Sequence, residues 1–468
     1  MTSRARRASR GTLPVPRRVL VVGGGGREHA LAWCLAREAG VAEVVVAPGS
    51  AGIASVGGVR AVPVDPLDPE AVLAVARTAA VDLVVIGPEA PLGAGVADRL
   101  RADGLPVVGP GAAAARIETS KAFCHEVAAA AGVRMARARA FGGGEEDAAR
   151  AFVRALDAAG RGIVLKADGL AAGKGVVVCD DLASALALVP SFLHGRPPGP
   201  PALVVEERLA GPEASVIALC DGTRAAALPA ARDHKRLGDG DRGPNTGGMG
   251  AYSPLPDLSD AAAAAIVGTV HLPILAELAR RGTPYRGFLY AGLMLTADGP
   301  ALLECNARLG DPEAQVILPR VAAPLAPLLL AAALGRLPDD APRVLPATAD
   351  AAVGIVLAAA GYPGDPRRGD PIGGLAAAAA DALVFHAGTA PRAGGGYETN
   401  GGRVLAVVGR GPDLGRARAR AEAAADAIAW EGLQRRRDIA RDVMGAGGAG
   451  DVALGARAPA APVGGAPA

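Results

Sequence analysis

Lysine is almost missing from this 468-residue sequence: of 49 basic residues only Lys121, Lys166, Lys174 and Lys235 are lysine, and 45 are arginine. Asparagine is equally scarce, occurring only as Asn245, Asn306 and Asn400. A GC-rich coding bias turns interchangeable surface lysines into arginine. A lysine that persists is therefore a candidate ligand, at a place such as a tight phosphate site where a planar fork does not replace a compact ammonium. Aromatic residues make up 3% of the chain, too few for base-stacking platforms, and a net charge of +2 steers the molecule to neither nucleic acid nor anionic lipid. The five cysteines stand singly without a CxxC pair, so neither a zinc cage nor a disulfide framework is suggested, and a reducing cytoplasm fits best. No apolar run approaches the ~18 residues of a membrane span, so no membrane contact is expected.

What is present is a globular composition, 50% hydrophobic and 21% charged, long enough for about three cores. Residues 1–17 form a basic, acid-free arm that is expected to be disordered. From 18 to 118, β-branched runs at 44–46, 83–86 and 106–108 alternate with Ala-rich stretches, the pattern of an open parallel α/β domain. Residues 119–340 mix strands, glycine loops and helices as an α+β body, with a flap at about 136–205. Residues 341–444 read as a small strand-rich unit closed by a helix over 416–430. The Ala/Gly/Pro-rich tail 445–468 is expected to be disordered.

The first glycine loop, Gly23 to Gly26, lies between a strand and a helix, where bare N–H groups and the helix dipole favour an anion. It is not a dinucleotide fingerprint: the third glycine of GxGxxG falls on Glu28, and the next strand ends in Ala47-Pro48-Gly49 with no acid for a ribose. A sugar phosphate, or a tight turn without ligand, remains. The second loop, Lys166-Ala-Asp-Gly-Leu-Ala-Ala-Gly-Lys-Gly175, imitates a Walker A sequence but places Gly175 where a Ser or Thr is required. It reads instead as a flap between antiparallel strands, whose N–H groups and Lys174 close over a triphosphate while Lys166 reaches in from the strand. A plain glycine hairpin is the alternative.

Glu206 and Glu207 stand at a strand end, with Leu209 and Glu213 following, suited to adenine and ribose contacts or simply a solvated acidic edge. In Leu302-Leu-Glu-Cys-Asn-Ala-Arg308, alternation puts Glu304 and Asn306 on one strand face with Arg308 continuing it. A carboxylate and a carbonyl oxygen at i, i+2 are hard ligands for magnesium, and Arg308 can neutralise an anionic reactant.

With Lys121, Lys166, the Gly169 to Gly175 flap, Glu206-Glu207 and Glu304-x-Asn306 in that order, the middle of the chain resembles the ATP-grasp superfamily. Further motifs narrow the likeness: Gly23-Gly-Gly-Gly-Arg-Glu-His-Ala30, Gly87-Pro-Glu-Ala-Pro-Leu92, Asp233-His-Lys-Arg236, the run Gly243 to Pro254, Asn306-Ala-Arg-Leu-Gly-Asp-Pro-Glu313 and Thr399-Asn-Gly-Gly-Arg403 are similar to those of the phosphoribosylamine–glycine ligases. The similarity runs from about residue 18 to 444. It departs mildly, with glycine for a common Asn in the first loop, and Arg208 and Leu309 where Phe is frequent. The resemblance implies an ATP-grasp body with a flap, and ligation of glycine to 5-phosphoribosylamine through a glycyl phosphate, using ATP and Mg2+, or Mn2+ in its place. It implies catalytic roles for Arg308, Lys235 and Lys174. ATP falls to Lys121, Lys166, Gly169, Gly173, Lys174, Gly175, Glu206, Glu207, Leu209 and Glu213, and metal to Glu304 and Asn306. The substrates fall to Gly25, Gly26, Glu89, Asp233, Lys235, Asn245, Thr246, Gly247, Gly248, Met249, Arg308 and Asp311. A monofunctional, monomeric, cytoplasmic enzyme is expected, with transient contact to the enzyme that supplies phosphoribosylamine.

Overall fold

The computed structural model describes residues 13–170 and 175–443. The flap residues Gly173 and Lys174, the tail at 445–468 and all of the basic arm before residue 13 lie outside the described residues. The last residues of that arm are held in place: Leu13 packs against the core, and the Arg17 N–H donates to Asp82 Oδ2 at 2.8 Å.

The N-terminal sheet is wholly parallel, with strands in the spatial order Val59–Ala61, Glu43–Pro48, Arg18–Gly23, Leu83–Ile86 and Val107–Val108. Its central strands are continuous β-branched runs because both faces are covered, and Val19, Val21, Val44 and Val84 are fully buried. The chain winds outward in both directions from Arg18–Gly23, so the crevice between that strand and Leu83–Ile86 is a topological switch point, where open α/β sheets accept ligands. The first glycine loop and Gly87–Glu89 flank it.

Two antiparallel sheets follow. The first, here the floor, runs Ala225–Ala227, Glu213–Cys220, Gly287–Thr296, Gly299–Asn306. Ser215 is opposite Gly292, which is opposite Glu304, while Tyr290 is opposite Asn306. Directly paired residues share a face, so one face carries Glu213 and Ser215, Tyr290 and Gly292, and Glu304 and Asn306. The second sheet, the flap, has the order Ala138–Gly142, Pro201–Glu207, Ile163–Ala167, Val176–Cys179. Its register sets Val164 beside Glu206 and Val178, and Lys166 beside Val204 and Val176. The opposite face, with Ile163, Leu165, Leu203 and Val205, packs on its own two helices, Glu146–Ala158 and Leu182–Leu193.

A further sheet has the order Arg232–Asp233, Gly250–Ser253, Ala351–Ala358, Arg403–Gly411, Leu383–His386. It therefore joins strands from either side of the expected 340/341 boundary, with Asp233 on its edge strand. The closing helix spans Leu414–Ala427 rather than 416–430, because the Asp413 side chain accepts from Arg416 N at 2.7 Å and caps it two residues earlier. The expected lack of a long apolar run also needs correction. Asp260–Arg280 is one helical stretch of 21 residues whose apolar 18-residue window has mean hydropathy 1.7, and 56% of that window is buried within the protein.

The parallel domain meets the floor sheet at two glycines. Gly287 has φ +136°, and a Cβ there would lie 2.7 Å from Gly109 N. Gly287→Ala should therefore destabilise by about 2–4 kcal/mol, combining backbone strain and overpacking. The expected result is a lower urea midpoint than that of the unaltered chain.

Candidate active site

The open faces of the floor and flap line a single cleft of about 1240 Å³. On the floor, Glu304 pairs with Gly292 but Leu302 pairs with Leu293, so Leu303 is an extra residue that bulges the strand. Its carbonyl turns to the flap and accepts from Lys166 Nζ at 3.0 Å. Lys166 also pairs with Glu206 at 2.8 Å, and His125 Nε2 lies 2.8 Å from the other Glu206 oxygen. Burial pushes the Glu206 carboxyl up, but Lys166 and His125 outweigh it and hold it below its ordinary range. Glu207 is bonded as well, to Arg137 N at 2.9 Å and to Arg161. Both carboxylates are thus engaged within the protein, which leaves the backbone of this strand end and Leu209 as the edge presented to the cleft.

Beside the floor, Lys235 Nζ lies 2.8 Å from Glu213 and 3.8 Å from Glu304. Burial opposes the Lys235 charge, yet Glu213, Asp233 and Glu304 raise its pKa well above the ordinary lysine value. Burial also pushes Glu304 up, but Lys235, Lys166 and Lys121 overcome this and lower it. Asp233 goes the other way: burial dominates and raises it to about 8, with Lys235 only partly offsetting the effect. Thr246 Oγ1 donates to Lys235 O at 2.8 Å, and Asn245 Nδ2 donates to Val176 O at 3.3 Å, so the 245–249 loop bridges Lys235 to the flap.

At the end of the cleft nearest the parallel domain the floor strand stops at Asn306. Arg308 does not continue the strand face as expected. It enters from the following bend, paired with Glu89 at 3.0 Å and Glu118 at 2.9 Å, while Glu118 also accepts from Ala307 N at 2.6 Å. Burial disfavours the Arg308 charge, but Glu118 and Glu89 more than compensate. Leu309 O accepts from Arg27 Nη1 and Arg308 Nη1, both at 3.1 Å. Asp311 receives Arg403 through its backbone carbonyl at 2.7 Å and its carboxylate at 3.1 Å.

The first glycine loop has its own anion. Glu28 folds back so that Oε2 accepts from Gly25 N at 2.7 Å, and a Cβ on Gly23 or Gly87 would collide with the Glu28 side chain. Gly25 and Gly26 consequently sit behind the cleft wall formed by Arg27, Pro88 and Glu89, although a Cβ on Gly25 would be only 3.7 Å from Asp311 Oδ2.

Of the residues expected from the sequence, Lys121, Lys166, Gly169, Gly175, Glu206, Glu207, Leu209 and Glu213 line this cleft, as do Glu89, Asp233, Lys235, Asn245, Thr246, Gly247, Glu304, Asn306, Arg308 and Asp311. Gly248 and Met249 lie outside its lining. Met249 is fully buried, its N–H donating to His234 O at 2.8 Å. Arg27, Glu118, His125, Glu313, Tyr362 and Arg403 also reach the cleft and were not among the expected ligands. Arg27, Glu313 and Arg403 sat inside recognised motifs. Glu118 and His125, on helices flanking Lys121, gave no signal.

Proteins that grip a nucleotide between two antiparallel sheets form the ATP-grasp class of ligases, and the fold places this chain among them. The likeness extends to family models described as the phosphoribosylglycinamide synthetase N domain over residues 17–118, ATP-grasp (A) domain over 119–314 and C domain over 352–442. The chain belongs to the phosphoribosylglycinamide synthetase family. It is 49% identical over 434 residues to a phosphoribosylamine–glycine ligase from Streptomyces coelicolor, covering 92% of this chain and 100% of that one. A Ralstonia nicotianae protein of the same name is 45% identical, covering 90% and 98%. The crystal structure of a Thermotoga maritima phosphoribosylamine–glycine ligase superposes with TM-score 0.73 at 33% identity, covering 90% of this chain and all of that one. A biotin carboxylase domain from Hydrogenobacter thermophilus, at 16% identity and TM-score 0.64 over 90% of this chain and 92% of that one, shares the fold alone.

The raised Asp233 pKa has a consequence for stability. Its folded value of about 8 exceeds the ordinary aspartate value, so the folded chain keeps a proton that the unfolded chain releases. The associated stability is present at low pH and lost as pH climbs through about 8. In metal-free protein, Asp233→Asn should gain stability relative to the unaltered chain between about pH 6 and about pH 9, read from paired urea titrations.

Proposed function

We propose that this cleft ligates glycine to 5-phosphoribosylamine at the expense of ATP, giving glycinamide ribonucleotide, ADP and phosphate in purine biosynthesis. The observation that carries this reading is the pairing of an activated-carboxylate site, Glu304 and Asn306 beside Lys235 and Arg308, with a switch-point crevice of the parallel domain across the same cleft. A carboxylate oxygen of glycine attacks the γ-phosphorus of ATP and ADP leaves. The ribosylamine nitrogen then attacks the acyl carbonyl, phosphate departs and the nitrogen gives up a proton. No side chain need become covalently attached. The chain supplies positioning and charge neutralisation, which rests on Lys, Arg, Glu and Asn rather than on a nucleophile and its base.

As a member of the ATP-grasp class the chain uses ATP and a divalent metal. In our reading Lys121, Lys166 and the flap hold the nucleotide, the flap through Gly169, Gly173, Lys174 and Gly175. The Glu206–Leu209 strand end and Glu213 meet adenine and ribose. Glu304 and Asn306 suit the metal on chemical grounds: both offer hard oxygens on one open strand face, and Glu304 is held ionised by its lysine neighbours. Among the described residues no group of His, Cys, Asp and Glu closes around a metal unaided. That fits a cation which takes part of its shell from phosphate and water, and favours Mg2+, with Mn2+ able to substitute. Bound there, the metal would offset the negative charge of the transferring phosphoryl group. Arg308 is assigned to the acyl phosphate. Asp233, Lys235 and the 245–249 loop, with Asp311, shape the glycine side, and Glu89 faces the ribosylamine, with the Gly25–Gly26 loop backing the wall behind it. In the same reading the reaction runs in the cytoplasm with a single chain as the working unit, and the ribosylamine arrives through transient contact with the enzyme that makes it.

Phosphate release should require glycine and freshly generated phosphoribosylamine together, and omission of each in turn tests the substrate pair; release with either absent and another carboxylate or amine present would reassign it. Glu304→Ala should still bind nucleotide but lose on the order of a hundredfold or more in phosphate release at saturating magnesium. Near-normal turnover in that variant would remove the metal assignment.

A further inference from the structure

Glycine brings two charges into the cleft, and no single group has yet been assigned to its ammonium. The ammonium also needs a partner, for a chemical reason. Once glycine is an acyl phosphate, any free amine competes with the ribosylamine for the carbonyl, and the amine of glycine itself is one such nucleophile. A carboxylate held against that nitrogen keeps its proton in place and removes it from the competition.

Glu313 has the geometry for this task. The residue is 3% exposed, yet it forms part of the cleft wall. One carboxylate oxygen, Oε1, accepts from Ser215 Oγ at 3.1 Å, and the Tyr290 hydroxyl lies 2.9 Å from that same Oγ. Ser215 commits its only proton to Glu313, so Tyr290 must donate to Ser215, and burial keeps the phenol protonated. Ser215 and Tyr290 are themselves 1% and 3% exposed and project from the floor face that carries Glu304 and Asn306. The second oxygen, Oε2, has no hydrogen-bond or ion-pair partner among the described residues. A Cβ on Gly310 would stand 2.5 Å from Oε2 and 3.0 Å from Oε1, so glycine at 310 leaves room for the carboxylate itself at the cleft wall. Glu313 lies within electrostatic reach of Asp233 on one side and of Arg308 and Arg403 on the other. With Oε1 fixed by Ser215 and the residue at the cleft wall, Oε2 is left to meet a cation that enters the cleft.

We propose that Glu313 binds the ammonium of glycine, with Ser215 and Tyr290 as positioning residues that hold its free oxygen toward the cleft. The inference rests on the ligation described above and assigns the amino end of its first substrate.

The test varies glycine at saturating ATP and phosphoribosylamine in the full chain. Glu313→Gln keeps an acceptor for Ser215 but loses the charge, and should raise the KM for glycine roughly 10- to 100-fold while leaving the KM for ATP in place. Glycolate, which replaces the ammonium with a hydroxyl, supplies the second arm as a competitive ligand. The unaltered chain should prefer glycine to glycolate strongly, and Glu313→Gln should erase most of that preference. Ser215→Ala should raise the glycine KM by a smaller factor without lowering kcat, and it carries the test if the glutamine variant does not fold. An unmoved glycine KM, or equal losses for glycine and glycolate, overturns the assignment. If the unaltered chain neither turns over nor binds glycine by calorimetry in the presence of ADP, the ligation itself falls, an outcome distinct from failure of Glu313 alone.

Discussion

The cleft depends on one charge pair taken out of water. Lys166 and Glu206 are diagonal neighbours on adjacent flap strands, 2.8 Å apart, with side chains 8% and 3% exposed. Burying either charge alone would cost several kcal/mol, and a buried pair breaks even only when its remaining hydrogen-bonding capacity is met. Here both partners have a second bond. Lys166 donates to the bulged carbonyl of Leu303, and Glu206 is met by His125. One bond ends on the floor sheet and the other on the helix Lys121–Ala130, so the same requirement that keeps the pair tolerable also fixes the flap's root to the two elements beneath it. The N-terminus of that helix is tied to the flap again: Asp168 accepts from Ala122 N at 3.0 Å, and Lys121 Nζ donates to Gly169 O at 3.0 Å.

How much of this was legible in the sequence follows from the range of each interaction. Strand alternation is local, so Glu304 and Asn306 could be placed on one face from six letters of sequence. The parallel and antiparallel regions were legible for the same reason, from β-branched runs and their spacing. The partners of these residues were not, because Arg308 meets Glu89 across 219 residues and Lys166 meets Leu303 across 137. No periodicity links such positions. Glu28 is an instructive intermediate. From sequence it was the residue that spoils a dinucleotide fingerprint, and the structure supplies the physical reason: its carboxylate takes up the Gly25 N–H of the loop. The boundary expected at 340/341 concerns the order of segments along the chain, which carries no information on the pairing of Gly250–Ser253 with Ala351–Ala358 across it.

Lysine and arginine take different positions in the cleft. The three described lysines, Lys121, Lys166 and Lys235, all line the cleft, each as a point charge reaching a carbonyl or carboxylate from a long stem. Arginine is used where a fork is needed. Arg403 spans the carbonyls of Gly247 and Asp311 and the Asp311 carboxylate, a set of acceptors that an ammonium could not cover in one plane. Coding bias accounts for the many arginines elsewhere, but within the cleft the two residue types divide the work by shape.

That division explains how the 308–311 segment can prepare for an anion without being one itself. On the proposed chemistry the loaded site gains negative charge as glycine becomes an acyl phosphate beside a sugar phosphate, so guanidinium groups must already be in place. Three of them converge here, Arg27 from the parallel domain, Arg308 from the bend after the floor strand, and Arg403 from the C-terminal strands. Left bare, they would repel one another. Instead each is matched by an acid, Glu28, Glu89 with Glu118, and Asp311 respectively. The arginines are close to balanced by these acids, and the carbonyls of Leu309 and Asp311 tie them to a common backbone. Charge arriving with substrate then meets donors that need no reorganisation, because protein carboxylates have held them in position from the start.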